Sequence, residues 1–267
     1  MHVDRPLMRL AFVSGFALAA SNCIAAAAPC TAPDNVTKVT GASECLVIRT
    51  FARKTGGQAT LVVVIHGDVS RGGPATYHFR LADWLAGGGA VAVALVRPGY
   101  DDGAGNISSG ELNDRFDNYT AANIDAVAGA VRALRAHHRA QRVILVGHSG
   151  GAAISAVILG KHPGTADGAV LIACPCHLAN WRSGRRPFAR SESPHSYAAA
   201  VPASARIIAV TGSRDDNTIP SLASNYVATL AARGVRARFV EVAGAGHNDA
   251  VDAAEVTQAI GELVGGR

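Results

Sequence analysis

From residue 59 onward, apolar runs of strand length alternate with segments whose apolar residues recur at helical spacing. The runs cover 59–65, 90–96, 142–146, 168–173, 206–210 and 236–242. Helical spacing covers 77–86, 121–138, 151–161, 220–233 and 251–263. Strands that are apolar on both sides, alternating with helices, predict an α/β fold with a mostly parallel sheet covered on both faces. Ahead of this pattern, 36–51 predicts an antiparallel hairpin turned by Gly41. One stretch breaks the rhythm: 175–205 is rich in Pro, Arg and Ser. An insertion of that length inside a compact domain predicts a cap or lid, with Trp181 and Phe188 as its apolar anchors.

The first 28 residues carry a different pattern. Arg5 and Arg9 precede the uncharged apolar stretch 10–20, and Ala25-Ala26-Ala27-Ala28 supplies small residues for cleavage. Residues 1–28 are therefore expected to be a signal peptide and 29–267 a single domain, secreted or periplasmic. Cys23 offers a lipid-anchor alternative, against which stands Asn22, where a small residue is wanted. The apolar stretch is broken by Ser14, Ser21 and Asn22, so stable membrane insertion is not expected.

Composition narrows the class. The chain of 267 residues is 49% hydrophobic and 17% charged, which excludes disorder as its general state, and it has no repeat of solenoid length. The net charge of +5 becomes +4 once Asp4, Arg5 and Arg9 are removed with the leader. Only Lys38, Lys54 and Lys161 are lysines, and the arginines are scattered. Arg132, Arg135, Arg139 and Arg142 read as a solvated helix face, so no nucleic-acid partner is expected. A second cluster, Arg182, Arg185, Arg186 and Arg190, lies in the expected cap. Export leaves Cys30, Cys45, Cys174 and Cys176, an even number in an oxidising compartment. Of three pairings, Cys30–Cys45 is favoured because a hairpin lies between them, leaving Cys174–Cys176 to close a very small ring. Cys174, Cys176 and His177 lack metal-ligand spacing, so no metal and no cofactor are expected.

The sharpest chemical signal is Gly147-His148-Ser149-Gly150-Gly151, which follows the strand 143–146 and opens a helix. A serine on a tight strand-to-helix turn crowds its neighbours, and Gly147 and Gly151 remove the side chains that would clash. A serine hydroxyl needs a base, and the base needs an orienting acid. Both follow at strand ends: Asp215 in Thr211-Gly212-Ser213-Arg214-Asp215-Asp216, and His247 in Gly244-Ala245-Gly246-His247-Asn248-Asp249. Ser149 is then the nucleophile, His247 the general acid and base, and Asp215 the acid that fixes its tautomer.

These residues and their order resemble the α/β-hydrolase superfamily over roughly 45–264. The resemblance rests on the serine turn, the G-x-x-D acid loop, the G-x-G-H-x-D loop and His66-Gly67 after the first buried parallel strand. Ser193-Pro194 ahead of the acid strand adds a weaker resemblance to the catalytic domain of the prolyl oligopeptidase group. The superfamily pattern implies an α/β-hydrolase fold and two backbone oxyanion donors, the amides of Asp68 and Gly150. Two departures bear on the site. A proline often sits four residues past the acid in this superfamily; Pro220 is five past Asp215 and four past Asp216, so Asp216 stays open as the acid, while the spacing from Gly212 favours Asp215. Asp68 also puts a carboxylate beside the expected oxyanion, so it must turn away or pair, with Arg71 as the nearby cation. His66 and His148 read as packing residues, and Arg97-Pro98-Gly99-Tyr100 as the floor of the site or a plain turn. The implied activity is a serine hydrolase acting on a small-molecule ester, with an amide or peptide substrate as the alternative and a non-catalytic binding protein on the same fold as the third reading.

Overall fold

The computed structural model describes residues 1–2, 30, 32–52, 60–86 and 90–265. The expected leader, Cys23 included, falls almost wholly outside the described residues. The chain forms an eight-stranded sheet in the order β1-β2-β4-β3-β5-β6-β7-β8. The strands are β1 (Lys38–Gly41), β2 (Glu44–Phe51), β3 (Thr60–Ile65), β4 (Val91–Leu95), β5 (Arg142–His148), β6 (Gly168–Ile172), β7 (Arg206–Gly212) and β8 (Arg236–Val242). Strand β2 is antiparallel to β1 and β4, and every pair from β4 through β8 is parallel. This is the α/β-hydrolase fold that the alternation and the motifs predict.

Helices α1 (His78–Ala86), α2 (Ala121–His137), α3 (Gly150–Lys161), α6 (Pro220–Ala231) and α7 (Ala254–Gly265) flank the sheet. The two larger apolar clusters of the core join the sheet to α2, α3 and α6 on one face and to α1 and α7 on the other. Central strands β3, β4 and β6 are buried almost end to end, which is why they read as unbroken apolar runs. Helix α3 is buried on every side up to Lys161 and carries no polar face, as a helix sunk in a core requires. Among the described residues no helix is long and apolar enough to cross a membrane.

Three expectations are corrected. Gly41 does not turn the hairpin; it pairs with Glu44, and the turn falls on Ala42 and Ser43, with Ala42 at φ 51°. Gly41 instead allows contact with α2, because a Cβ there would stand 2.0 Å from the carbonyl oxygen of Ala126. The arginine series 132–142 is not one helix face: α2 ends at His137, and Arg142 opens β5. Helix α7 starts at Ala254 rather than 251, after a short 3-10 turn over Asp249–Asp252.

Both disulfides, Cys30–Cys45 and Cys174–Cys176, are present in the pairing favoured by the sequence. Segment 175–205 holds two short helices, α4 (Leu178–Trp181) and α5 (Pro194–Tyr197). Its anchoring goes beyond the two rings expected. The Asp117 carboxylate accepts the amides of Ala189, Arg190 and Ser191 at 2.8–2.9 Å, and the Trp181 indole donates to the Asn217 carbonyl at 2.8 Å.

Candidate active site

Strands β3 and β4 run to one side of the sheet while β5 to β8 run to the other, so the order reverses between β3 and β5. Parallel α/β sheets open a crevice beyond the carboxyl ends of such strands. The register pairs Ile65 with Gly147, which sets His66-Gly67-Asp68 beside His148-Ser149-Gly150. Ser149 has φ 52°, in the left-handed region that costs an L-residue energy, and its amide donates to the Ile172 carbonyl at 2.8 Å. The glycines around it are required by close backbone. A Cβ on Gly147 would lie 2.3 Å from the Gly151 oxygen, and one on Gly151 would lie 2.2 Å from the Ile65 oxygen.

The sheet brings Ser149, His247 and Asp215 together. His247 Nε2 lies 3.1 Å from Ser149 Oγ, and His247 Nδ1 lies 2.9 Å from Asp215 Oδ2. Asp215, at the end of β7, has a side chain with no solvent exposure, whereas Asp216 is exposed. The geometry therefore places Asp215, not Asp216, on the histidine. Burial pushes the Asp215 carboxyl up, but hydrogen bonds from His247 and from the Thr218 amide and hydroxyl prevail and hold it below the ordinary carboxylate value. Asn217 and Thr218 donate their amides to Oδ1 at 3.0 and 2.8 Å, and the Thr218 hydroxyl lies 2.7 Å from Oδ2. Neither residue is singled out by sequence reasoning. The available signal is the run Asp215-Asp216-Asn217-Thr218, an aspartate whose side chain can close a turn on the amides two and three residues ahead. Asn217 also brings Nδ2 to 3.3 Å from His247 Nε2, beside the serine hydroxyl.

The Asp68 carboxylate is paired, but not with Arg71. Arg97 Nη1 donates to it at 2.8 Å and the Tyr119 hydroxyl at 2.6 Å. Arg97 is fully buried at the end of β4, and its guanidinium also lies over the rings of Tyr100 and Tyr119. Burial opposes its charge, yet Asp68 together with Tyr100 and Tyr119 more than compensates and raises its pKa. Arg97 is thus a buried strut beneath the site rather than part of its open floor. The amides of Asp68 and Gly150 have no hydrogen-bond partner among the described residues, and Gly150 is the first residue of α3, at the helix's positive end.

His66 and His148 hold structure. His66 Nε2 accepts the Arg97 amide at 2.9 Å. His148 turns away from the serine: Nδ1 accepts from the Tyr77 hydroxyl at 2.7 Å, and Nε2 donates to the His247 carbonyl at 3.2 Å. The Tyr77 oxygen in turn accepts the Gly67 amide at 2.6 Å, so one chain of hydrogen bonds ties the turn after β3 to the loop of His247. Burial and the neighbouring His247 lower the His148 pKa to about 4, which keeps it neutral near pH 7. Above these residues opens a cavity of about 870 Å³, lined by Ser149 and His247 and walled by Phe116, Trp181, Arg182 and Phe188.

The fold recurs among solved structures. The esterase Pf2001 of Pyrococcus furiosus superposes with a TM-score of 0.65 at 15% identity, over 85% of this chain and 90% of that one. The acylaminoacyl peptidase of Pyrococcus horikoshii gives 0.64 at 12% identity over 84% of this chain, but only 39% of the peptidase. A puromycin-hydrolysing peptidase of Mycobacterium tuberculosis gives 0.62 at 15% identity, over 85% of this chain and 38% of that one. At such identities the likeness is one of fold. No curated protein matches the chain by sequence. A family model does match, over residues 58–255, a span that runs from β3 past the histidine loop and takes in every residue of the site just described. The chain therefore belongs to the family that this model describes, the serine aminopeptidase, S33, family of α/β-hydrolases.

Proposed function

We propose that this serine hydrolase is exported and cleaves carboxylic esters through an acyl-enzyme on Ser149. The observation that carries the reading is the Oγ–Nε2 distance of 3.1 Å on a serine held at φ 52°, with Asp215 at 2.9 Å from the far nitrogen of the same ring. His247 takes the serine proton as Oγ attacks the ester carbonyl. Asp215 keeps the Nδ1 proton in place and stabilises the imidazolium. The amides of Asp68 and Gly150 receive the oxyanion; one such donor is worth about 2.7–4 kcal/mol. The intermediate collapses as Nε2–H protonates the departing alcohol, and water enters by the same base to release the acid. Export accounts for the leader pattern and for two disulfides in one chain, and residues 175–205 act as the cap over the cavity.

The family description favours a second reading, an aminopeptidase. Such a substrate carries an ammonium group that needs a carboxylate. Asp216 is the lining carboxylate that has no ion pair among the described residues, since Asp68 is held by Arg97 and Asp252 by Arg80. Against this, Arg71 and Arg182 face the same cavity with no carboxylate partner among the described residues, which favours an anionic substrate over one that carries an ammonium group. Purified protein is tested with a fluorophosphonate probe and with short p-nitrophenyl esters against aminoacyl p-nitroanilides. We expect labelling that vanishes in Ser149→Ala and faster ester hydrolysis. Labelling that persists in that variant refutes the nucleophile, and faster anilide hydrolysis selects the peptidase.

A further inference from the structure

The cavity wall that carries Phe116 is built in an unusual way. Residues Asn113, Asp114, Arg115 and Asp117 all have positive φ, between 43° and 60°. Four such non-glycine residues within five positions are strained and persist only where surrounding contacts over-determine them. Those contacts are present. Arg115 donates to the carbonyls of Val69 and Gly73 at 3.1 Å, and Asp117 clamps the amides of 189–191. The result of the strain is placement: Phe116 is turned into the cavity against Phe188, ring centroids 4.7 Å apart, and Trp181 meets Phe188 edge-on at 5.2 Å.

Against these three rings lies a cation. The Arg182 guanidinium carbon is 5.1–5.5 Å from the centroids of Phe188, Trp181 and Phe116. Its Nε donates to the Arg186 carbonyl, and among the described residues no carboxylate pairs with it. Burial and the like charge of Arg185 both work against this cation and lower its pKa. Arg71 lines the same cavity with no hydrogen bond or ion pair to any described residue. A cation kept on an aromatic wall without its own counter-ion is arranged for one brought by a ligand.

We propose that this wall is a subsite for an arene carboxylate, so that the preferred esters carry a carboxylate on an aromatic ring. The ring packs edge-to-face against Phe116, Trp181 and Phe188, while Arg182 and Arg71 take the carboxylate. The proposal rests on the reading of Ser149 as nucleophile only for turnover, and binding tests it separately. In Ser149→Ala protein, calorimetry at low salt compares 4-carboxyphenyl acetate with its uncharged near-isostere, 4-carbamoylphenyl acetate. The anion should bind at least tenfold tighter, and the ratio should fall in 0.5 M NaCl. In an Arg71→Gln, Arg182→Gln background the ratio should collapse to within twofold. Arg71→Glu, at an exposed and unpartnered site that folding does not need, should reduce it on its own. Equal binding of the two esters, or a preference that survives loss of both arginines, overturns the proposal. Wild-type kcat/KM for the pair should follow the same order. Retained anion preference with no hydrolysis would remove the nucleophile assignment and leave the subsite standing.

Discussion

Asp68→Asn tests whether the Asp68–Arg97 pair carries the site. Arg97 has 1% of its side chain exposed and Asp68 18%, with 2.8 Å between them. Among the described residues Arg97 Nε has no partner, and the guanidinium's other hydrogen bond is a 3.4 Å contact from Nη1 to the His66 carbonyl. Among the described residues Asp68 is therefore the one counter-charge of a buried guanidinium. Losing one member of a buried pair costs about 3–5 kcal/mol, most of it from the charge left behind. In a chain of this size about 1 kcal/mol moves Tm by about 2–4 °C, so Asp68→Asn should lower Tm by roughly 6–20 °C. Asparagine keeps the shape and the backbone amide, so the loss reports charge rather than packing. Thermal and urea unfolding without reductant measure it. Removing the cation as well, in Asp68→Asn with Arg97→Met, should recover about 2 kcal/mol or more, as a strong coupling between contacting groups requires. A loss under about 1 kcal/mol in the single variant, or a double variant no better than the sum of its parts, refutes the reasoning.

Three further outcomes are expected. Asp215→Asn should cut kcat/KM on neutral esters about 10⁴-fold, the size of the loss when a triad histidine is held in the wrong tautomer, while Asp216→Asn stays within a few-fold; steady-state kinetics decide, and similar losses in both would unseat Asp215. Gly151→Ala and Gly261→Ala are the same change with opposite signs: the first drives a Cβ to 2.2 Å from a backbone oxygen and should destabilise and abolish probe labelling, whereas the second meets nothing within 4 Å and should stabilise by about 0.5–1 kcal/mol. Burial holds His78 at about 3, so below pH 6.5 the unfolded chain binds a proton that the folded chain refuses. Stability should then fall as pH drops from 6.5 toward 4, with this histidine contributing a slope of about 1.4 kcal/mol per pH unit; His78→Gln should flatten urea midpoints over that window, and an unchanged slope would exclude the histidine as a source.

What could be read from the chain, and what could not, follows from the range of each interaction. Strands β3, β4 and β6 are legible because both faces are buried, so nearly every position must be apolar. The serine turn is legible because its constraint is local: Gly147 and Gly151 clear space within two residues of Ser149. The partner of Asp68 is not, because proximity along the chain points to Arg71, three residues on. The register Ile65–Leu95 instead carries Arg97 beneath the turn from 29 residues away. The cavity wall is hidden for a further reason. Asn113, Asp114 and Asp117 are residue types that tolerate positive φ, so the run Asn113-Asp114-Arg115-Phe116-Asp117 carries a trace of its own geometry. Arg115 carries none; its strain is offset by donation to the carbonyls of Val69 and Gly73, groups that every residue possesses. Side-chain patterning cannot encode a bond whose acceptor is backbone. In the clamp of Asp117 on the amides of 189–191 it is the donors that are backbone, with the same effect. The reaction class therefore shows in the sequence, through a serine that needs glycines beside it. The proposed specificity rests on two loops joined by bonds that use backbone groups, and only the folded arrangement shows that they place three rings and a cation around one cavity.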